Sequence, residues 1–223
     1  MDILRRHEEF EIEALDKMNS AKMLEPLVFG GGTMLRLCHE LNRYSVDLDF
    51  WFVKKISKIS KNSFFDAGRK AFEKDYKITD AQMKHYTILF ELRSAQYPKR
   101  LKIEIRREWK ACDYQQTIAF SRFSTRQVVL KTHTLEQTMK NKIDAFLDRG
   151  EIRDCFDIEF MLRRGVEMTF KEKEQTVAFQ KKLARLKDRD FKVKLGSILE
   201  DETRKYYVTN KFRFLEEKLA SMV

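Results

Sequence analysis

The chain has 223 residues, 43% of them hydrophobic, so it can bury a substantial core and is not disordered throughout. Its 45 lysines and arginines outnumber its 35 aspartates and glutamates, and the formal charge of +10 favours anionic partners such as nucleotides, RNA, DNA or acidic membrane surfaces. Residues 1–18 carry acidic side chains throughout and no run reaches about 18 apolar residues, which argues against a signal peptide and a membrane span.

The first fifty residues predict a helix, a buried strand, a second helix and a second strand. Residues 5–19 have apolar positions at helical spacing, and residues 27–29 form a short apolar run typical of a buried strand. The triplet Gly30–Gly32 ends that strand. Thr33 is then predicted to be the N-cap of a helix with an apolar stripe that extends to position 41. Residues Ser45–Val53 alternate with a period of two, which predicts a strand.

The middle of the chain predicts one helix and further strands. Residues 62–75 are expected to be helical. Strands are expected at 83–93 and 100–107, joined by a turn, and a further strand at Val128–Leu130.

The chain is therefore expected to have an α/β (α+β) core at residues 1–132 and a helical region at 133–223. The helical pattern continues to the end of the sequence, with expected helix ends at Gly150, Gly165 and, more weakly, Gly196. No flexible linker separates the two parts, so we expect the helical region to pack on the core.

Cysteine usage and the absence of a targeting pattern predict a cytoplasmic protein. The three cysteines are odd in number and far apart in sequence, as expected of reduced thiols. They are Cys38, Cys112 and Cys155. The four histidines show no ligand spacing with them, which argues against a structural zinc site.

Two carboxylates and a glycine turn predict a site for a metal ion and for phosphates. Asp47 and Asp49 lie two positions apart on one predicted strand and must point to the same face. Two such carboxylates repel each other unless a cation lies between them, and Mg²⁺ commonly binds one or two carboxylates together with substrate phosphates. The Gly31–Gly32 turn lets the backbone approach a phosphate, and the helix that follows offers free N–H groups. Alone, these patterns also fit a tight turn and a solvated strand face.

At these positions the sequence resembles the AbiEii/AbiGii toxin family of bacterial toxin–antitoxin and phage-abortive systems. The first matching block comprises Gly31–Arg36 (GGTMLR) and Arg43–Phe50 (RYSVDLDF). The second, about ninety residues later, comprises Lys142–Arg149 (KIDAFLDR) and Arg153–Ile158 (RDCFDI). Two blocks in the right order are much more specific than either alone.

The resemblance implies a nucleotidyltransferase-like mixed sheet with flanking helices, and Mg²⁺-dependent transfer of a nucleotidyl group from an NTP. In this family the D-x-D pair binds one or two metal ions and the lysine of the second block contacts nucleotide phosphates; here these are Asp47, Asp49 and Lys142. Glu104 is expected to be a further metal ligand or the general base. The other residues expected at the nucleotide are Gly31, Gly32, Thr33, Arg36, Ser45, Arg149, Arg153 and Asp157.

The acceptor and the partners also follow from the resemblance. Together with the basic composition, it implies an RNA acceptor such as the 3′ end of a tRNA, with a protein hydroxyl as the rival. It also implies a toxin that has a cognate antitoxin, which in this family is often a DNA-binding repressor that need not touch the toxin. No membrane partner is expected.

Several of these residues have a simpler structural alternative. Lys142 fits a solvated helix lysine, and Glu104 fits one more charge on a salt-bridged face. Asp154 and Asp157 either orient the cations of the second block or cap the helix and pair with them. Gly150 predicts a helix–turn–helix here in place of one continuous helix.

Two non-enzymatic classes of protein fit the same composition. One is a basic RNA- or DNA-binding module without catalysis, which predicts salt-sensitive binding that survives loss of Asp47. The other is an interaction protein whose fold has lost activity. Intact Asp47, Asp49 and Lys142 argue against such decay.

Overall fold

The computed structural model describes residues 2–221, and within them eight α-helices and seven β-strands. The helices are α1 (Asp2–Ser20), α2 (Gly31–His39), α3 (Lys58–Phe72), α4 (Leu135–Arg149), α5 (Ile152–Leu162), α6 (Lys173–Leu183), α7 (Asp201–Asn210) and α8 (Arg213–Ala220). The strands are β1 (Leu27–Gly30), β2 (Asp47–Phe52), β3 (Lys77–Met83), β4 (Thr87–Arg93), β5 (Leu101–Arg106), β6 (Tyr114–Phe120) and β7 (Gln127–His133). A π-helical turn (Asp190–Leu195) and a 3-10 turn (Gly196–Ile198) separate α6 from α7.

Contacts divide the chain into two units. The first comprises the described residues up to Glu40 together with Tyr44–Thr134, and contains α1–α3 and all described strands. The second comprises Leu41–Arg43 and the described residues from Leu135 onward, and contains α4–α8. None of the helices within residues 2–221 combines the length and hydrophobicity that a membrane span requires.

In the described residues the strands form one mixed sheet in the order β3-β4-β5-β2-β1-β7-β6. The pairs β1–β7 and β2–β5 are parallel, and the other neighbouring pairs are antiparallel. Asp49 is the register partner of Gly30 on one side and of Glu104 on the other. Gly30, Asp49 and Glu104 therefore lie in one row at the centre of the sheet, and Asp47 lies two positions earlier on β2.

The alternation of β2 separates an apolar face from a polar face of the sheet. Leu48, Phe50 and Phe52 are buried, and the Phe50 ring stacks on Phe29 with a centroid distance of 5.0 Å. Burial of each such side chain contributes about 1.5–3 kcal/mol. Asp47 and Asp49 alternate with these residues and are half-buried. The hydrophobic core thus fixes which face presents the carboxylates.

Most of the predicted elements are confirmed, and several details of the prediction are wrong. The segment 83–93 was expected to be one strand, but it contains the end of β3, a turn and β4. The strands β3 and β6 were not predicted. The helix expected at 62–75 begins earlier, at Lys58, where Ser57 caps it by accepting a hydrogen bond from the Ser60 backbone N–H at 3.0 Å. The helix after the glycine turn ends at His39, so Leu41 lies outside it.

The second unit begins with the predicted helix–turn–helix. Helix α4 ends at Arg149, and Gly150 follows with a φ of +68°, a conformation that favours glycine. Gly165, with a φ of +82°, lies in the same way beyond the end of α5. Aromatic contacts pack these helices against later ones: Phe146 lies 4.6 Å from Phe179, and Phe156 lies 4.8 Å from Tyr207, between ring centroids.

Candidate active site

The glycine turn lies directly against one of the predicted metal ligands. Helix α2 begins at Gly31, whose φ of +76° is strained for any residue with a side chain. A Cβ atom at Gly31 would lie 2.5 Å from Oδ2 of Asp49. Glycine is therefore required here twice, for its backbone conformation and for the close approach of the carboxylate.

Thr33 has a different structural role from the one predicted. The N-cap of α2 is Gly30, in an extended conformation and without a side-chain cap, so the prediction of Thr33 as N-cap is wrong. Thr33 lies inside the first turn of the helix, fully buried, and its Oγ1 donates to the backbone carbonyl of Asp47 at 2.6 Å. The hydroxyl therefore fixes the start of β2 relative to the glycine turn.

A second side chain holds the same strand end from helix α1. His7 is fully buried, and its Nε2 lies 2.9 Å from the backbone carbonyl of Val46, the residue before Asp47. Burial lowers the pKa of His7, so the ring is neutral at physiological pH and Nε2 is the donor. Sequence reasoning did not identify His7, because nothing in the pattern of α1 indicates that it contacts β2.

Glu104 lies beside Asp49 on the neighbouring strand β5, and a lysine accompanies it. Glu104 pairs in register with Asp49, and Lys102 pairs with Asp47. Lys102 Nζ lies 2.6 Å from Glu104 Oε1. The hydrogen bond to Glu104, with the charges of Glu104, Asp47 and Asp49, raises the pKa of Lys102. A lysine that sequence reasoning missed thus neutralises part of this carboxylate cluster; its position two residues before Glu104 was the available signal.

The donor set fits a magnesium ion held by two carboxylates. Asp47 and Asp49 supply hard oxygen ligands on one face, and Mg²⁺ completes its shell with water and substrate phosphates. Among residues 2–221, no group of three or more His, Cys, Asp or Glu side chains is arranged to hold a metal ion. Glu104 is engaged with Lys102. Lys102 therefore competes with a metal ion for the carboxylate that was predicted to be a third ligand.

Two further residues of the first motif lie near the start of β2. Arg36, on α2, donates from Nε to Glu8 Oε2 at 2.8 Å, and its guanidinium lies 4.5 Å from the centroid of the Tyr44 ring. Ser45 is half-buried in the loop before β2. The Arg36–Glu8 ion pair is partly buried, which orients the guanidinium on the surface of α2. The predicted nucleotide contacts of Arg36 and Ser45 remain predictions.

Helix α1 also buries a carboxyl group near this site. Glu11 is 1% exposed, its Oε1 has no hydrogen-bond partner among the described residues, and it lies 3.6 Å from His7 Nε2. Burial, followed by the negative charges of Glu8 and Asp47, raises the pKa of Glu11 well above its ordinary value. Glu11 is therefore protonated under conditions in which exposed glutamates are ionised.

We expect Glu11→Gln to stabilise the protein increasingly as pH rises. Because the folded-state pKa of Glu11 is raised, the native state binds more protons than the unfolded state above about pH 4.5, so wild-type stability falls with rising pH up to the folded-state pKa. Glutamine removes this contribution, which is at most about 1.4 kcal/mol per pH unit. Urea unfolding of both proteins from pH 5 to pH 8 measures the difference. A difference that does not change with pH would show that Glu11 titrates normally.

Charged residues of the second motif block form an ion network around two buried aspartates within the second unit, together with Arg43 of the first block. Asp157 is fully buried and accepts from Arg43 Nε at 2.6 Å and from Arg43 Nη2 at 2.7 Å. Lys142 Nζ lies 2.6 Å from Asp157 Oδ2 and 3.2 Å from Asp154 Oδ1. Asp154 also accepts from Nε and Nη2 of Arg149, both at 2.8 Å.

This network bears on the alternatives that the sequence left open for the block. Both Asp154 and Asp157 pair directly with its cations, and Lys142 is buried, unlike a solvated helix lysine. Burial alone would raise the pKa of Asp157, but the adjacent charges of Arg43 and Lys142 hold it below its ordinary value. Arg153 is exposed. The phosphate contacts expected of this block remain predictions.

Comparison with known proteins agrees with the geometry. A family model described as nucleotidyl transferase AbiEii toxin, type IV toxin–antitoxin system, matches residues 13–217. The solved structure of JHP933 from Helicobacter pylori is similar, with 21% identity, a TM-score of 0.56, and coverage of 96% of this chain and 94% of that chain. A putative nucleotidyltransferase from H. pylori shows 20% identity and a TM-score of 0.57, with 96% and 97% coverage. At these identities both show a shared fold. No curated protein matches.

Proposed function

We propose that this chain, which belongs to the AbiEii nucleotidyl transferase toxin family, transfers a nucleotidyl group from an NTP to an acceptor hydroxyl with Mg²⁺ held by Asp47 and Asp49. One observation carries the proposal. The Gly31 turn at the N-terminus of α2 lies against the Asp49 carboxylate, on the sheet face that also presents Asp47. A glycine turn at a helix N-terminus thus meets a carboxylate pair in one place, which supports a site for phosphates and a metal ion.

In the proposed reaction the acceptor oxygen attacks the α-phosphorus in line, a new oxygen–phosphorus bond forms, and the bond to the pyrophosphate leaving group breaks. One or two bound Mg²⁺ ions would neutralise the charge that develops on the phosphoryl oxygens. Backbone N–H groups at the Gly31–Gly32 turn would seat the phosphates, because this helix end carries a partial positive charge. Thr33 and His7 position β2 and hence Asp47.

Glu104 and Lys102 have complementary parts in this proposal. The acceptor hydroxyl must lose a proton, and Glu104 is the candidate base or third metal ligand once its ion pair with Lys102 opens. Lys102 would then be free to neutralise a phosphate oxygen at the metal site, because its ammonium group lies near Asp47, Asp49 and Glu104. The family resemblance also implies nucleotide contacts for four residues of the second block, and these contacts stay predictions. The residues are Lys142, Arg149, Arg153 and Asp157.

We favour RNA as the acceptor, with the 3′ end of a tRNA as the first candidate and a protein hydroxyl as the rival. The net charge of +10 supports an RNA partner. Nucleoside triphosphates and tRNA place the proposed reaction in the cytoplasm. Membership of a type IV toxin–antitoxin family supports a toxin with a cognate antitoxin.

A transfer assay tests the function directly. The protein is incubated with Mg²⁺ and each labelled NTP in turn, with total tRNA or with total soluble protein as acceptor. We expect label to appear on RNA together with pyrophosphate, and expect EDTA to abolish both. Label on protein instead would select the rival acceptor. Salt-sensitive RNA binding without any transfer, unchanged in Asp47→Asn, would instead identify a non-catalytic binding module.

A further inference from the structure

The end of the sheet formed by β6 and β7 exposes apolar side chains on one face. Tyr114, Ile118 and Phe120 of β6 are 48%, 49% and 37% exposed, and Val129 of β7 is 57% exposed. Ile118 and Val129 are register partners, and the alternation of β6 places its three residues on the same side. We call these four residues the β6–β7 platform. Exposed apolar side chains gathered on one surface indicate a binding site.

The platform lies on the same sheet face as the candidate metal ligands. Asp49 pairs with Gly30, and Tyr114 pairs with His133. The register of β1 with β7 brings Gly30 level with His133, and a Cβ atom at Gly30 would lie 2.7 Å from His133 Nδ1. Asp49, Gly30, His133 and Tyr114 therefore form one row across the sheet. Three strand spacings of about 4.8 Å separate its ends, about 14 Å in all.

The chemistry of the platform and its surroundings suits a polyanion with flat apolar groups. Strand β6 (YQQTIAF) contains no charged residue, and β7 (QVVLKTH) contains Lys131 but no acid. Lys131 is the register partner of Gln116, in the middle of the platform face. Toward the metal ligands the face continues with the Trp51 ring, whose centroid lies 4.7 Å from that of His133. Aromatic and aliphatic surfaces beside a cation are the usual means of binding unpaired bases on a sheet.

We propose that the β6–β7 platform binds the unpaired bases of a single-stranded RNA end whose terminal hydroxyl reaches the Asp47–Asp49 site. The distance of about 14 Å between Tyr114 and Asp49 corresponds to about four stacked nucleotides at 3.4 Å each. RNA is favoured over a protein partner or a second copy of this chain because Tyr114, at one end of the platform, lies in the same register row as Asp49 of the candidate active site. The absence of acids on β6 and β7 also fits an anionic ligand. The binding of RNA to the platform is independent of the proposed function, whereas the reaction of its terminal hydroxyl rests on that function.

Binding to RNA tests the platform without requiring turnover. A fluorescent, unstructured oligoribonucleotide of roughly eight nucleotides is titrated with wild type, Tyr114→Ala, Tyr114→Phe and Ile118→Ser, at fixed salt. Loss of one stacked base predicts at least about fivefold weaker binding for Tyr114→Ala. Tyr114→Phe keeps the ring and is expected to bind like wild type. The matched control is Tyr86→Ala, which removes a tyrosine that is 68% exposed between β3 and β4, beyond the opposite end of the sheet.

The outcomes separate this inference from the proposed function. In one outcome, wild type transfers nucleotide to RNA, but Tyr114→Ala and Ile118→Ser bind RNA as tightly as Tyr86→Ala and have unchanged melting temperatures. The platform is then not the RNA site, and the proposed function stands. If no transfer is found but Tyr114→Ala still weakens RNA binding selectively, the platform stands and the function does not. A concentration-dependent dimer in sedimentation velocity, lost in Ile118→Ser while RNA affinity is unchanged, would assign the platform to a second copy and overturn the proposal.

Discussion

Replacing Asp49 by asparagine is expected to reduce nucleotide transfer at least a hundredfold and to leave the fold intact. Asparagine keeps the shape that fits against Gly31, so the close approach there is preserved. It keeps one oxygen ligand but loses the charge, which weakens metal binding and removes several kcal/mol of transition-state stabilisation. Each 1.36 kcal/mol corresponds to tenfold in rate. Because Asp49 is only half-buried, the free energy of unfolding should change by no more than about 0.5 kcal/mol.

The same substitution elsewhere on the sheet provides the control. Asp80 is also half-buried and lies on the edge strand β3. Two strands separate β3 from β2, and their residues Glu91 and Lys102 lie between Asp80 and Asp47 in the register. Asp80→Asn should therefore transfer nucleotide at close to the wild-type rate. Transfer and thermal melting are measured on the same preparations. An Asp49→Asn protein that melts like wild type and transfers at a similar rate would show that Asp49 is not a metal ligand in catalysis. If the protein is toxic, cells should tolerate expression of Asp49→Asn.

The parts of the fold that the sequence predicted correctly are those determined by local signals. The glycine turn, the period of two in β2 and the stop at Gly150 depend on residues within one element. The two strands that were missed, β3 and β6, are at the edges of the sheet and pair with a single neighbour each. Strand β3 is interrupted by a register shift between Ile78 and Asp80, and β6 is exposed at most positions, so neither shows a clear hydrophobic alternation.

The candidate site follows the same division. The sequence placed Asp47 and Asp49 on one face because strand periodicity determines it. Thr33 was wrongly assigned as a cap because the preference of threonine for N-caps is a local rule, whereas its hydroxyl bonds to Asp47, fourteen positions away. Three residues next to the carboxylates were not predicted. His7 and Glu11 belong to helix α1, and Lys102 lies beside Asp47 because β2 pairs with β5. Only the three-dimensional structure brings such residues together.

The buried ion network of the second unit leads to the largest expected effect on stability. Asp157 is fully buried and lies within 2.6–2.7 Å of nitrogen atoms of Arg43 and Lys142. Asp157→Asn removes the negative charge and leaves two buried cations with reduced compensation. Loss of one partner from such a pair costs about 3–5 kcal/mol, a large part of the 5–15 kcal/mol that stabilises a typical domain. We therefore expect a substantial fall in the urea midpoint and in the melting temperature.

The stability that the Asp157 carboxylate contributes is expected to depend on pH. The folded-state pKa of Asp157 is depressed, so its contribution to stability is present above the ordinary aspartate pKa of about 3.9 and is lost as pH falls toward the folded-state value. Wild type should therefore lose its advantage over Asp157→Asn on acidification below about pH 4.

The matched control is Glu217→Gln, which breaks the exposed Arg213–Glu217 pair of the same unit and should cost less than about 1 kcal/mol. Arg43→Gln and the double variant complete a thermodynamic cycle, in which the two losses should not add. Equal, small losses for Asp157→Asn and Glu217→Gln would show that the network does not stabilise the unit.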